Sequence, residues 1–407
     1  MNESGSRPPS QSFRELLMGL LPFLLGIDLI FWVVFIPVGL RGDADFAMFY
    51  TAGSMVRSGS ASQLYNYEVE TRFQHELVSK TPAPYTHLPY EAAAFAALSL
   101  LDYRAAYWVF LAMNVVFAGL TLLMLQRKGT GRLFIAVLAA FFPLSAAIAD
   151  GQDSIVLLMI AAGACWLLSR KGEFSAGALL ALGLFRFQLV LPIAVLMFIW
   201  KRWRFVVGFS ISSVVMLALS GAVGGFQQLN VYTMRLLSLG GVAGTEAGYA
   251  IATGQLRRMV SLRALFANLV AGSRLAQILT LVLSFVLLIW AGRQGRRLSA
   301  RLQFAFAVGV SVLVSYHLFV YDLALLLIPM SAVLELALRT DSRNAQVAAL
   351  IPLIAVPLGV LWRPFLLALP LLVFLIMLKR ALREPDHHKT DFSPPLKLED
   401  EQLVSPA

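Results

Sequence analysis

The stretch Leu16–Gly53, LLMGLLPFLLGIDLIFWVVFIPVGLRGDADFAMFYTAG, places a long apolar run directly before two carboxylates. The run ends at Leu40 and is long enough to cross a bilayer as a helix, which takes about 20 apolar residues. It is too long for the apolar part of a cleavable signal peptide, so we predict that it remains as the first membrane helix. Asp43 and Asp45 follow it. Because a carboxylate at the bilayer centre costs roughly 2.5–3.5 kcal/mol, we expect both at the rim of a membrane-embedded site.

The composition of the whole chain predicts an all-α, polytopic transmembrane helical bundle. Of its 407 residues, 58% are hydrophobic and only 14% are charged, and 28 are Phe. The apolar segments are long, whereas a membrane β-barrel has short alternating ones. The net charge of +10 comes from short basic clusters between apolar segments, as in cytoplasmic membrane loops, so we expect no nucleic-acid partner. The single cysteine, Cys165, leaves no intramolecular disulfide.

Hydropathy predicts about twelve membrane helices, several of them shorter than the roughly 20 residues that a full crossing needs. Segments 175–185 and 188–200 are either two half-helices that meet at Arg186–Gln188 or one helix with a buried charge. Tyr90–Leu101 is too short to cross, and we interpret it as a re-entrant or interfacial helix. Broken elements are tolerated where they line a cavity. The predicted spans are 16–39, 105–125, 133–149, 154–168, 175–185, 188–200, 205–224, 274–292, 302–316, 322–338, 346–361 and 365–378.

The domain organisation follows from these spans. We predict a short cytoplasmic tail at 1–15, a membrane domain at 16–383 and a disordered cytoplasmic tail at 384–407. Cytoplasmic termini place most Lys and Arg residues on the cytoplasmic side, as the positive-inside rule requires. Two long outer loops, 41–104 and 225–273, then face the other side. Within the second loop, residues 255–271 have the pattern of an amphipathic interfacial helix.

Asp45 is the stronger candidate for chemistry among the first-loop carboxylates. Phe46, Phe49 and Tyr50 follow it, and their burial would raise its basicity. The alternative is that Asp43 and Asp45 only cap the next helix, since Asp is a favoured N-cap residue.

Three further groups of polar residues interrupt the apolar pattern. The connection Tyr316–Asp322 brings His317, Tyr321 and Asp322 to the depth of the first-loop carboxylates, although it is also a plausible turn. The sequence DGQDS at 150–154 contains Gln152 and has the pattern of a tight turn that needs no function. Arg186 and Gln188 lie between the short segments. Arg186 either snorkels to the interface or binds an anionic ligand such as a phosphate.

No signature of a bound metal or nucleotide cofactor is found in the sequence. There is no phosphate-binding Gly-rich loop, no HExxH motif and no pair of histidines spaced for zinc on a helix face. Asp43-Ala44-Asp45 has the form D-x-D, but at a membrane edge this short match is weak evidence for a divalent metal. We therefore predict no metal and no cofactor.

Five motifs, in order along residues 42 to about 330, resemble those of bacterial glycosyltransferase family 87, membrane enzymes of the GT-C fold that use polyprenyl-phosphate sugars. One departure is Arg186, where Lys would be expected more often. The motifs are DFAMFYTAG (45–53) with LY (64–65), YTHLPYEAAAFAALSLL (85–101), GQDS (151–154), RFQ with KRWR (186–204) and YHLFVYDLALLLIP (316–329).

The resemblance implies that an Asp in the first outer loop is the catalytic base, and this role maps onto Asp45. Membership of the family alone does not say which sugar or acceptor is used. From the chemistry that such a transfer requires, we expect inversion of the anomeric centre and a hexose, mannose in the first instance, moved to a lipid or glycan hydroxyl on the outer face of the cell inner (plasma) membrane. Arg186, Arg257 or Arg258 would hold the phosphate, and His317 and Asp322 would orient the sugar or the phosphate. The substrate-binding residues that we predict are Asp43, Tyr50, Gln152, Arg186, Gln188, Arg257, Arg258, His317, Tyr321 and Asp322.

Two other functions remain open from the sequence. A transporter or flippase of lipid-linked sugars would use the same cavity and charges without a catalytic base. A noncatalytic membrane scaffold would need neither this cavity nor a catalytic base.

Overall fold

The computed structural model describes residues 9–78, 84–127, 130–239, 255–270 and 273–383, and within them the chain is helical with no strand. Short 3₁₀ turns link several helices, among them Leu182–Arg186 and Tyr321–Leu326. The α-helices are α1 (Pro9–Leu40), α2 (Phe46–Arg57), α3 (Tyr67–Leu77), α4 (Pro89–Ala96), α5 (Tyr103–Leu125), α6 (Gly131–Ala139), α7 (Phe142–Ala149), α8 (Ser154–Ser169), α9 (Glu173–Ala181), α10 (Phe187–Ile199), α11 (Trp203–Gly224), α12 (Phe226–Leu239), α13 (Leu262–Leu269), α14 (Ser273–Gln294), α15 (Ala300–Val314), α16 (Leu327–Arg339), α17 (Arg343–Trp362) and α18 (Ala368–Ala381).

The predicted count of twelve membrane helices is not confirmed. Among the described residues, 8 helices are long and apolar enough to cross a membrane, or 9 if α6 and α7, which are bent by 51°, form one span. The 16 residues of α8 and the 15 of α15 make helices of roughly 22–24 Å, shorter than the apolar core of a bilayer. The 8 candidates are Gln11–Leu40, Tyr103–Leu125, Glu173–Ile199, Trp203–Gly224, Arg274–Arg297, Tyr321–Arg339, Arg343–Trp362 and Pro364–Ala381.

The apolar stretch Glu173–Ile199 is a helical hairpin, which is the first of the two alternatives for this region. A straight helix of 27 residues would be about 40 Å long. Yet Glu173, at its start, forms a 2.9 Å ion pair with Arg202, three residues after its end. The helical geometry breaks at Arg186, where φ is −112° and ψ is 52°. The chain therefore reverses at Arg186, and α9 and α10 lead to and from that point.

Two contacts stabilise the hairpin. At its apex, the Tyr90 hydroxyl donates to the Leu182 carbonyl at 2.8 Å and accepts from the Phe185 backbone N–H at 2.8 Å. Away from the apex, α9 packs tightly on α11, because a Cβ atom at Gly177 would collide with the Phe205 carbonyl oxygen. Small residues at such crossings let two helix backbones approach closely.

The packing of the bundle distinguishes central helices from peripheral ones. In the 18-residue apolar window of the candidate span Tyr321–Arg339, 89% of the residues are buried, whereas in the window of Gln11–Leu40 17% are buried. Helix α1 therefore turns a broad apolar face outward, where lipid would cover it. The site described below lies beside the central span, near the hairpin apex.

Three boundaries differ from those expected from the sequence. Helix α1 includes Pro9 to Leu40 rather than starting at residue 16, because a helix can continue through polar residues beyond the membrane. The amphipathic helix expected at 255–271 is only Leu262–Leu269, because the Ser261 side chain caps it at that point. Tyr90–Leu101 is divided between α4 and a 3₁₀ turn, and the expected tail at 384–407 lies outside the described residues.

The hairpin makes a prediction about membrane sidedness. In a variant whose buried cysteine is removed (Cys165→Ala), the exposed positions Arg170→Cys and Arg204→Cys should react with a membrane-impermeant thiol reagent from the same side, because α9 and α10 return the chain to that side. Ser58→Cys is the control and should react from the opposite side. Labelling of positions 170 and 204 from opposite sides would show that Glu173–Ile199 is a single crossing.

Candidate active site

A cavity of about 470 Å³ lies between the start of α2, the hairpin apex and the segments before α13 and the central span. Most of its wall is apolar, with a few polar groups that converge on it, which is typical of a ligand site. Its lining residues are Asp45, Met48, Pro84, Thr86, His87, Phe185, Arg186, Phe187, Gln188, Thr233, Leu236, Gln255, Arg263, Tyr316, His317, Phe319 and Tyr321.

Asp45 lies in this wall, directly before α2. It occupies the N-cap position, but its side chain makes no capping hydrogen bond to the helix. Its Oδ2 instead accepts hydrogen bonds from the Gln152 amide and, at 3.2 Å, from the Tyr321 hydroxyl. The carboxylate is thus oriented by side chains from two other segments, and not by its own helix.

The turn between α7 and α8 holds the backbone around Asp45. The Asp45 N–H donates to Asp150 Oδ1 and the Phe46 N–H donates to the Asp150 carbonyl, both at 3.4 Å. Gly151 has a φ of +64°, and a Cβ atom there would press on Phe46. Gly151 therefore allows the close packing of this turn on Phe46, and the same turn holds the backbone of Asp45 through Asp150.

Arg186, at the hairpin apex, is the centre of a buried ion cluster. Its guanidinium binds both oxygens of Asp153, donates to Gln152 Oε1 at 2.8 Å, and lies 3.3 Å from Asp322 Oδ1. Asp322 also accepts from the Ser154 hydroxyl at 2.7 Å and from the Phe319 N–H at 3.0 Å. Nε and Nη2 of Arg186 thus hydrogen-bond to the protein, and Nη1 forms an ion pair with Asp322.

His87 extends the cluster on the other side of Asp153. Its Nδ1 lies 2.7 Å from Glu91 Oε2 and 3.1 Å from Asp153 Oδ2, and all three side chains are buried. Their ligand-type atoms lie within 4.8 Å of one another, close enough for metal ligands. The guanidinium of Arg186 binds the same Asp153 carboxylate.

The charges shift the pKa values of the groups outside the membrane spans. Burial raises the pKa of Asp45, and Arg186, Tyr321 and Gln152 partly oppose that rise. Burial alone would raise the pKa of Asp153, but Arg186 and His87 hold it well below its usual range. Burial disfavours the charged form of His87, yet Glu91 and Asp153 outweigh burial and raise the pKa of His87 to about 9. Burial, with Arg186 and Arg263, lowers the pKa of His317 to about 3.

The structure brings together most of the site residues expected from the sequence. Asp45, Arg186, Gln188, His317 and Tyr321 line the cavity. Gln152 and Asp322 are buried directly behind them and hydrogen-bond or ion-pair with Arg186.

Besides Gln152 and Asp322, four of the expected residues do not line the cavity. Asp43 is exposed beside Arg41, and the Tyr50 hydroxyl donates to the Leu101 carbonyl at 2.8 Å. Arg257 and Arg258 are exposed. Arg263 is the basic residue of this region that lines the cavity, with its guanidinium 4.1 Å from the centre of the Tyr316 ring.

Sequence reasoning missed the roles of His87, Glu91, Asp150 and Asp153. The available signal was the run of polar residues before a short apolar helix, T-H-L-P-Y-E at 86–91, together with the two acidic residues that flank Gly151 and Gln152. Neither signal indicates that the two segments meet, because that contact depends on the packing of the bundle.

Comparison with known proteins identifies the family. A model of glycosyltransferase family 87 matches residues 85–315, more than half of the chain. The chain belongs to glycosyltransferase family 87. No curated protein and no solved structure matches it. The family-87 match confirms the resemblance found in the sequence, and together with the apolar helices it makes the chain a membrane glycosyltransferase. The matched region includes His87, Asp153, Arg186 and Arg263, whereas Asp45 precedes it.

The ion cluster makes a prediction about stability. Arg186→Ala should destabilise the protein by about 3–5 kcal/mol, because it leaves the buried Asp153 and Asp322 without their counter-charge. Thermal unfolding of the purified protein in detergent measures this loss. Arg257→Ala, at an exposed position, should unfold like the wild type. Equal stability of Arg186→Ala and wild type would contradict the role of Arg186 as the centre of the cluster.

Proposed function

We propose that this family-87 enzyme transfers a hexose, mannose in the first instance, from a polyprenyl-phosphate donor to a hydroxyl group of a lipid or glycan acceptor. Family membership supports glycosyl transfer itself. The donor, the sugar and the acceptor are our inference from the resemblance and from the chemistry of the cavity.

The observation that carries the proposal is the position of Asp45. It is a carboxylate in a mostly apolar cavity wall, oriented by Gln152 and Tyr321. Its raised pKa makes it a stronger base than an exposed Asp. A base of this kind is what an acceptor hydroxyl requires, because a hydroxyl is a weak nucleophile until its proton is removed.

The cavity also suits an amphiphilic, anionic donor. Phe185, Phe187, Leu236 and Phe319 offer apolar surface to a prenyl chain, and Arg263 brings a positive charge to the wall. Arg186 lines the same wall, but Asp153, Gln152 and Asp322 engage its nitrogens, so it acts on the donor through its charge more than through direct contact. With a pKa of about 3, His317 is neutral at pH 7 and suits a hydrogen bond to a sugar hydroxyl.

In the proposed reaction, Asp45 accepts the proton of the acceptor hydroxyl while the acceptor oxygen attacks the anomeric carbon of the sugar. The bond from that carbon to the phosphate oxygen breaks, and its electron pair stays on the phosphate. A phosphate is already a good leaving group and needs little protonation to depart. Attack opposite the phosphate inverts the anomeric centre. Positive charges near the phosphate favour this step because they are present where negative charge develops.

The proposed location is the cell inner (plasma) membrane, with both termini in the cytoplasm and Asp45 on the outer side. The basic residues around the open end of the hairpin, such as Arg170, Lys201 and Arg204, support this orientation, since cytoplasmic loops are enriched in Lys and Arg. A lipid-linked donor and a lipid acceptor can both reach such a site from within the bilayer. The surrounding membrane lipids are therefore the environment of both substrates.

The base assignment predicts the effect of Asp45→Asn. Transfer from a radiolabelled polyprenyl-phosphate mannose to membrane lipid by the purified protein should fall at least about 100-fold, because general-base catalysis is worth roughly 10²–10⁴-fold. Donor binding should persist, since the amide keeps the shape of the carboxylate. Asp43→Asn is the matched control, at an exposed position outside the cavity, and should stay near wild-type activity.

Two outcomes would contradict the proposal. Retention of more than about a tenth of the activity by Asp45→Asn would exclude Asp45 as the base. Movement of the lipid-linked sugar across the bilayer without transfer, in both wild type and Asp45→Asn, would instead support the transporter alternative.

A further inference from the structure

His87 lies in the cavity wall but has no part in the reaction as described so far. Several contacts fix the loop that carries it. The Tyr65 hydroxyl donates to the His87 carbonyl at 2.6 Å, and the Tyr85 hydroxyl donates to Glu91 at 3.1 Å. Glu70 accepts from the Tyr85 N–H and pairs with Arg235 at 3.0 Å. A loop held this firmly positions the imidazole with little freedom.

The two nitrogens of His87 have different surroundings. Nδ1 faces Glu91 and Asp153, both acceptors, so Nδ1 carries a hydrogen. For Nε2 no hydrogen-bond partner is found in the part of the chain that the structure describes. The rings of Phe49 and Phe185 flank the imidazole, at 5.3 and 6.2 Å between centroids. Nε2 is therefore the polar atom of His87 that is left for a ligand in the cavity.

The two histidines of the cavity differ in charge. The groups that act on His87 are Glu91 and Asp153, which favour its protonated form, and Arg186, which opposes it. The resulting pKa of about 9 keeps His87 protonated at neutral pH, so that Nε2 also carries a hydrogen. His317, on the same cavity wall, is held neutral. Neighbouring groups with pKa values shifted in opposite directions often have different roles in one reaction.

We propose that His87 is a second catalytic residue, whose Nε2–H donates a hydrogen bond to the phosphate of the donor. This inference rests on the proposed function and assigns a direct phosphate contact to His87, because Arg186 is held by Asp153, Gln152 and Asp322. As the bond between the sugar and the phosphate oxygen breaks, its electron pair moves onto the phosphate, and the hydrogen bond to Nε2 strengthens. His87 keeps its proton throughout, and the proton of the acceptor goes to Asp45. Glu91 and Asp153 are positioning residues that hold the imidazole and its charge.

The pH dependence of transfer tests this role. Wild-type activity should fall as the pH rises through about 9, because His87 then loses its proton. Glu91→Gln removes the charge that does most to favour protonation of His87, so its fall should begin at lower pH than that of the wild type. His87→Gln should lose this dependence and be at least about 10-fold less active at neutral pH, the worth of a hydrogen bond to a charged group. His75→Gln, at an exposed histidine, is the matched control and should keep the wild-type profile.

Binding measurements separate a failure of this inference from a failure of the proposed function. At pH 7, wild type in detergent should bind polyprenyl phosphate more tightly than uncharged polyprenol, and the preference should shrink in wild type itself between about pH 8 and pH 10. His87→Gln should reduce the preference at least about 10-fold. If wild type shows no preference, the proposed donor is wrong.

Three results would overturn the role of His87. One is an unchanged preference in a His87→Gln variant that unfolds at the wild-type temperature. Another is a pH profile of Glu91→Gln that matches the wild type. The third is loss of activity on treatment with a chelator and recovery on addition of Zn²⁺ or Mn²⁺, because His87, Glu91 and Asp153 would then be metal ligands.

Discussion

The buried contact between Arg186 and Asp153 is the interaction on which the site depends. Both side chains are almost fully buried, and an isolated ion there would cost several kcal/mol. The charges can be buried because they are shared: Asp322 and Gln152 also engage Arg186, and His87 also engages Asp153. These residues come from the hairpin apex, the α7–α8 turn, the loop before α4 and the start of the central span. Four segments that are distant in sequence are therefore held in one arrangement by mutual compensation of charge.

Gln152 connects this cluster to the candidate base. Its Oε1 accepts from Arg186 and its amide nitrogen donates to Asp45 and, at 3.3 Å, to Asp150. The guanidinium thus fixes the orientation of the amide, and the amide fixes the carboxylate that faces the cavity. On the other side, Asp153 binds both Arg186 and the Nδ1 of His87, so Arg186 also fixes His87 through one side chain. The two groups that we assign to chemistry, Asp45 and His87, are each one hydrogen-bonded side chain away from Arg186. Preorganised polar groups of this kind need little rearrangement when a reaction generates charge.

The sequence predicted the class of fold and part of the site, for physical reasons that differ from residue to residue. Long apolar runs determined the membrane helices, and the charged residue between two short runs correctly located the break at Arg186. Hydropathy does not distinguish two half-helices from two crossings, so the count of twelve was not confirmed. The sequence also did not show which basic residue of the second outer loop lines the cavity. Ser261 caps α13 at its start, and Arg263 in the first turn lines the cavity, whereas Arg257 and Arg258 before the helix are exposed. The contact of His87 with Asp153 was not predictable, because it depends on how two loops pack.

A cryo-electron microscopy structure of the Asp45→Asn variant with polyprenyl-phosphate mannose bound tests the central claim most directly. The variant should retain the donor because it lacks the base. Our account predicts that the prenyl chain lies along the apolar wall, the anomeric carbon faces position 45 and a phosphate oxygen lies within hydrogen-bonding distance of His87 Nε2. A donor bound outside this cavity, or one whose sugar is turned away from position 45, would contradict it.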